Sequence, residues 1–422
     1  MYNIIRSKIN NLFISNNKYE LPYLFPLLVF LIYFSILSTL LGAFVLNLSL
    51  VLFCVFFLVF FVKNKKKIEI SFNFKIIFIV ITFLILNILF SEHPLYSAKS
   101  VMGLIKNIIF LIGCYVVFKI ESKVFEKFIK FVLIIFLFTA FDTILQYLTG
   151  KDIFGYPPSE LHYGRLSGPF GDELIVGSYL SKLIFVSILF FFINFKKNSY
   201  DLIFLVFGLI VLFITKERSA FLMTFFTSLV YIFFRIEKLR FKIILSLIFI
   251  SLIAVLTFTV PDTIKRYKFL YNSGNNILHT QWGAHFLTSY EIFKKNPILG
   301  TGIRTFRHEC SKDYLKNIQS KAVDIRCSTH PHNFYFEILA ETGSVGLFIF
   351  LSFLFTVFKK IISTYKKNKS NNNIVISISL FFMFFWPIKT TGSIFSSWNS
   401  YFYIMALVII FYQINFLNFK NK

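Results

Sequence analysis

The run Thr329-His330-Pro331-His332-Asn333-Phe334 sets two imidazoles and a carboxamide where a polar loop gives way to an apolar stretch. Pro331 biases His330 toward extended backbone, and a polar His332-Asn333 pair just before an apolar run marks a helix start. A neutral imidazole at such a junction can take a proton from a hydroxyl as that hydroxyl attacks a carbon. It can equally be an interfacial side chain satisfied by a loop carbonyl. Arg165 stands in the glycine-rich turn Gly164-Arg165-Leu166-Ser167-Gly168, and Arg218 follows Lys216-Glu217. A guanidinium offers paired N–H donors that match a phosphate, although either arginine could instead snorkel to a lipid headgroup. Glu341, nine residues after His332, lies roughly 13 Å farther along a continuous helix. A carboxylate there needs a partner, for substrate or for packing. Lys106 and Lys182 fall inside apolar runs and are open to the same two readings. No His-x-x-x-His, Cys-x-x-Cys or Asp-x-Asp pattern suggests a metal.

Of the four cysteines, Cys54 and Cys114 lie in apolar runs, while Cys310 and Cys327 share one polar loop. In an oxidising compartment two thiols in one loop pair, and this bond would anchor the strand that delivers His332.

The elements that position these groups follow from composition. The 422 residues are 56% hydrophobic and 20% aromatic, with a mean hydropathy of +0.71, which excludes a soluble domain and predicts an all-α polytopic membrane protein. The net charge of +24 is scattered in short runs between apolar stretches, so no basic domain is offered to nucleic acid. Runs long enough for roughly 30 Å of hydrocarbon predict twelve helices, over 21–41, 44–62, 75–91, 101–118, 128–148, 172–194, 201–215, 218–234, 241–260, 333–358, 374–390 and 398–416. The first is read as a retained span rather than a signal peptide. Lysine and arginine concentrate in alternate loops, which predicts both termini in the cytoplasm. The short 149–171 loop and the long 261–332 loop then face outward within a single membrane domain, 1–422. Apolar groups at helical spacing over Gln281–Lys295 predict an amphipathic helix on the outer membrane surface.

The order His332-Asn333, Ile338-Leu339-Ala340-Glu341-Thr342-Gly343, Gly346-Leu347 resembles the signature of the O-antigen ligase and O-antigen polymerase superfamily, with Phe336 where leucine is usual. The turn Asn296-Pro297-Ile298-Leu299-Gly300-Thr301-Gly302 resembles that superfamily's Pro-x-x-Gly-x-Gly turn, and His279-Thr280 stand where it often carries an arginine. The resemblance implies a bacterial inner-membrane glycosyltransferase with a periplasmic site. It would move a glycan from an undecaprenyl diphosphate carrier to an acceptor hydroxyl, with inversion and without metal or cofactor. His332 would be the base, with Asn333 orienting the ring or the sugar and His330 assisting. Arg165 and Arg218 would hold the diphosphate, and Glu341 would line the substrate site. The acceptor stays open among a lipid A core sugar, the growing glycan and a protein Ser or Thr. A transporter or lipid-linked sugar flippase shares the span count, but it has no need of a His-Asn pair at a loop exit and should show a two-fold repeat.

Overall fold

The computed structural model describes residues 19–68, 74–195, 199–259, 277–368 and 371–420. The predicted stretches 1–18, 196–197, 261–276 and 369–370, which carry part of the charge pattern and the start of the long loop, lie outside the described residues. Hydrocarbon leaves no partner for a free backbone N–H or C=O, so apolar runs satisfy their own hydrogen bonds as helices. Each predicted run contains one: α1 (Leu24–Leu41), α2 (Ala43–Asn64), α3 (Phe74–Leu89), α4 (Pro94–Ile120), α5 (Ser122–Thr149), α6 (Val176–Asn194), α7 (Tyr200–Ile214), α8 (Arg218–Arg235), α9 (Leu239–Thr259), α11 (Phe334–Lys367), α12 (Asn373–Phe385) and α13 (Ser397–Lys420). Among the described residues seven of these, α1, α2, α4, α5, α6, α11 and α13, are long and apolar enough to cross a membrane. Buried tyrosines tie the bundle through their hydroxyls, Tyr179 to Thr39 of α1 at 2.9 Å and Tyr401 to Ser35 at 3.0 Å, as a buried phenol requires.

Three boundaries differ from expectation. Helices α4 and α5 absorb most of the polar linker expected over 119–130, leaving a turn at Glu121, whose carboxylate accepts the Lys123 N–H. Helix α12 stops at Phe385 instead of 390, because Trp386 turns extended (ψ 129°) ahead of Pro387. The expected 333–358 span is two pieces, since α11 breaks at Gly343 (φ 65°, ψ −168°).

That break is filled from outside the helix. Ser344 and Val345 donate their N–H groups to the carbonyls of Pro297 and Ile298, at 2.8 and 3.2 Å. In return the carbonyls of Ala340 and Glu341 accept the N–H groups of Thr301 and Gly302, at 3.2 and 3.0 Å. The Pro-x-x-Gly-x-Gly turn therefore replaces a missing helical turn. Asn87 of α3 caps the junction, donating to the carbonyls of Leu299 and Glu341 and accepting the Ile303 N–H. Gly300 (φ 71°) is pressed so close that a Cβ would lie 2.3 Å from the Glu341 carbonyl carbon.

Helix α10 spans Gln281–Lys295, as the periodicity predicts. The face expected to meet lipid is instead largely used within the protein: Ala284, His285, Thr288 and Ile292 are fully buried, and Phe286 stacks on Phe336 of α11 at 4.8 Å.

Gly300→Ala should lower the melting temperature of the detergent-solubilised protein by many degrees, because a left-handed backbone costs about 1–3 kcal/mol before any steric displacement is counted. Gly103→Ala in α4, where a Cβ would meet nothing within 4 Å, is the control and should melt as wild type. Equal melting of the two variants would contradict the interlock.

Candidate functional site

The half-helix ahead of the break, Phe334–Thr342, opens on Asn333. Its Oδ1 accepts the N–H groups of Tyr335 and Phe336, and its Nδ2 donates to the carbonyls of Pro387 and Lys389 at 2.8 and 3.1 Å. The amide expected to orient a ring or a sugar is thus engaged in capping α11 and in tethering it to the 386–396 loop. Just before it, His332 adopts a left-handed backbone (φ 57°), an unfavourable state for a non-glycine residue. The His332 carbonyl accepts the Thr391 N–H at 2.7 Å, and this bond holds the residue there.

Three imidazoles gather at this corner. The His332 ring lies 4.3 Å from that of His330 and 5.1 Å from that of His285, centroid to centroid. His330 has both nitrogens engaged: Nε2 donates to the Thr391 carbonyl at 3.2 Å, which leaves Nδ1 to accept the Thr329 hydroxyl at 2.9 Å. His285 is fully buried, and its Nε2 donates to the Ile325 carbonyl at 3.0 Å. His332 is half-buried. Its Nε2 meets the Ser328 hydroxyl at 3.2 Å; two ring nitrogens of the trio have no partner, and since His285 Nδ1 is buried, His332 Nδ1 is the one left for an incoming group. Burial pulls His332 below the ordinary histidine value. Burial, helped by the neighbouring His332, takes His330 and His285 down to about 4. Burial thus favours the neutral form of all three, and an unprotonated His332 Nδ1 is an acceptor.

The arginines sit at a second corner. Arg165 pairs with Glu217 at 2.6 Å and also donates to the Leu174 carbonyl. Glu217 caps α6 by accepting the Ser178 N–H, and precedes Arg218, the first residue of α8. Burial raises the Glu217 carboxyl against the pull of Arg165. Lys182 of α6 donates to Asn399 at 2.9 Å, whereas Lys106 of α4 is spent on Asn47 of α2.

The loop between α12 and α13, residues 386–396, joins the two corners. Thr391 binds His332 and His330 as described, and its hydroxyl accepts the Phe334 N–H at 3.1 Å. The adjacent Thr390 donates to Ser219, the residue after Arg218, at 2.8 Å. Buried Glu337 of α11 fastens the far side by accepting the Ser393 hydroxyl and the Ile394 N–H. Sequence reasoning left only 391–397 as a connector between the runs 374–390 and 398–416, and gave it no role. The available signal was the polar run Lys389-Thr390-Thr391-Gly392-Ser393 between two apolar stretches.

Glu341 is fully buried, and its two carboxylate oxygens accept the N–H groups of Arg304 and Phe306, at 2.6 and 3.1 Å. It serves as a strut for the Gly-x-Gly turn, away from any open surface. Cys310 and Cys327 are joined in a disulfide, with Cα atoms 5.2 Å apart. Arg326 donates to the Cys310 carbonyl at 3.1 Å. Among the described residues no group of three or more His, Cys, Asp or Glu is placed to hold a metal ion.

Residues 203–351 match the family model described as O-antigen ligase. The matched stretch runs from α7 into the second half of α11 and includes Arg218, the interlocking turn, both loop cysteines and His330-Pro331-His332-Asn333. It leaves Arg165, Lys182 and the 386–396 loop outside. A search of curated proteins returns no match.

The disulfide should appear on mass spectrometry of the non-reduced protein as one cross-linked peptide pair, and Cys310→Ser should lower the melting temperature, since closing a loop of this length contributes roughly 3 kcal/mol. Separate alkylated Cys310 and Cys327 peptides, recovered without reductant, would rule the bond out.

Proposed function

We propose that this protein, whose residues 203–351 match the O-antigen ligase family model, is a polytopic inner-membrane glycosyltransferase. It takes a glycan from an undecaprenyl diphosphate carrier and places it on an acceptor hydroxyl at the periplasmic face. The twelve apolar helices cross the membrane with both termini in the cytoplasm, and the 149–171 and 261–332 loops carry the site.

The observation that carries this reading is the 386–396 loop. It hydrogen-bonds the backbone of His332 on one side and the residue beside Arg218 on the other, so a neutral base and a cationic corner are tied to one short loop. In the reaction the acceptor O–H gives its proton to His332 Nδ1 while its oxygen attacks the anomeric carbon. The bond from that carbon to the diphosphate oxygen breaks, with inversion. Arg165 and Arg218 stabilise the charge that develops on the departing polyprenyl diphosphate. Asn333 and Thr391 act as positioning residues that hold His332 in its left-handed backbone. No metal or cofactor enters this scheme: Arg218, with Arg165 shared between the leaving group and Glu217, meets the developing charge. The reading of the acceptor as a lipid A core sugar rests on the ligase family; a growing glycan or a protein hydroxyl is accommodated by the same chemistry.

The test is transfer of labelled glycan from a polyprenyl diphosphate donor by the purified protein, offered core sugar, glycan and peptide acceptors. Product should form with at least one acceptor and survive a chelator. Arg165→Lys and Arg218→Lys should each slow it about tenfold or more, since an ammonium cannot replace paired donors and one charge-assisted bond contributes about 1.5–3 kcal/mol. Movement of the donor across a vesicle membrane without product would make the protein a carrier instead.

A further inference from the structure

Among the described residues, two lysines close to the cationic corner form no salt bridge, although Glu217 lies near enough to Lys182 for their charges to interact. Lys182, on the sixth residue after Val176 of α6, gives one hydrogen bond to Asn399 at 2.9 Å and lies over the Trp398 ring at 4.2 Å and the Phe402 ring at 5.0 Å. An ammonium has three N–H donors, so two are left for a ligand. Lys389 donates to the carbonyls of Met383 and Phe384, at 2.6 and 2.8 Å, at the end of α12. Such carbonyls carry partial negative charge but no full countercharge.

The two side chains are tied to the same loop. Asn399, which holds Lys182, donates to Ser396 at 3.2 Å and rests on Gly392, where a Cβ would lie 2.0 Å from its amide nitrogen. Lys389 and Thr390 are neighbours in that loop, and Thr390 reaches Ser219 beside Arg218. Glu217 is the carboxylate at this corner, and it is already spent on Arg165 and the start of α6. Taking an ammonium out of water without a countercharge is costly, and Lys389 records that cost: burial first, and the charge of Lys182 second, pull it down to about 7. An anion with more than one charge would relieve both lysines at once.

We infer that Lys182 and Lys389 are further ligands of the donor's diphosphate, so that ammonium groups from α6 and from the 386–396 loop complete the grip begun by Arg165 and Arg218. This rests on the proposed function for the identity of the ester. The chemical class is a diphosphate monoester or diester with an apolar tail. Lys182 would bind through its two remaining donors. Lys389 would bridge the ligand to the end of α12, which explains a lysine where a neutral side chain could cap the same carbonyls.

The experiment uses the full-length protein in detergent and farnesyl diphosphate as the probe, with binding followed by calorimetry. Lys182→Met and Lys389→Gln, the latter keeping donors for the helix carbonyls, should each weaken binding about tenfold or more; Lys182→Arg should restore most of the affinity. If both neutral variants bind as wild type while Arg218→Lys does not, the inference fails and the proposed function stands. If wild type itself ignores farnesyl diphosphate, both fall. Should either variant fail to fold, amine-directed chemical labelling of wild type supplies the answer: the probe should protect Lys182 and Lys389, and labelling of both unchanged by saturating probe overturns the inference.

Discussion

The break in α11 at Gly343 is the constraint on which the rest of the structure depends. A helix interrupted inside an apolar bundle exposes N–H and C=O groups that cost several kcal/mol each in hydrocarbon. The chain tolerates this because the 297–302 turn returns from the far side of the long loop and supplies the missing partners, backbone to backbone. The consequence is a short half-helix, Phe334–Thr342, released from the line of the rest of α11. It carries Asn333, Glu337 and Glu341 on buried faces and presents His332 at its tip. Glu341 then locks the turn by binding two further backbone amides.

A second clamp sets what the half-helix faces. The 386–396 loop spends its polar groups on His330, His332, Asn333 and Glu337 on one side and on Ser219 on the other. Strain at His332 is therefore held by a network rather than by its own sequence, which is the usual condition for an unfavourable backbone state to persist. The three neutral imidazoles and the cationic corner are complementary. One side can accept a proton, and the other can accept negative charge.

Much of the fold was legible in the sequence. Hydropathy located a helix in each of twelve runs, since in a membrane protein run length and backbone satisfaction leave few alternatives. The period of α10 was visible because Trp282, His285, Phe286, Ser289 and Ile292 recur at helical spacing. What was not legible were the places where tertiary contact overrides local pattern. Gly343 in an apolar run reads as close packing, and only the distant Ile298 carbonyl reveals that it breaks the helix. Lys389 disappears inside a hydropathy window, although Pro387 marks the true end of α12. Asn333 and Glu341 read as site residues by motif, yet their hydrogen bonds are committed to backbone. His285 reads as one position of an amphipathic stripe, and nothing local places it against His332.

In the proposed reaction His332, rather than His330, takes the acceptor's proton. Single-turnover transfer by His332→Ala and His330→Ala proteins, with donor binding measured in the same samples, tests it most directly. The His332→Ala protein should bind donor and make no product, while His330→Ala, which loses a ring already committed to Thr329 and Thr391, should keep part of the rate. Wild-type turnover by the His332→Ala protein, or loss of product confined to His330→Ala, would contradict it.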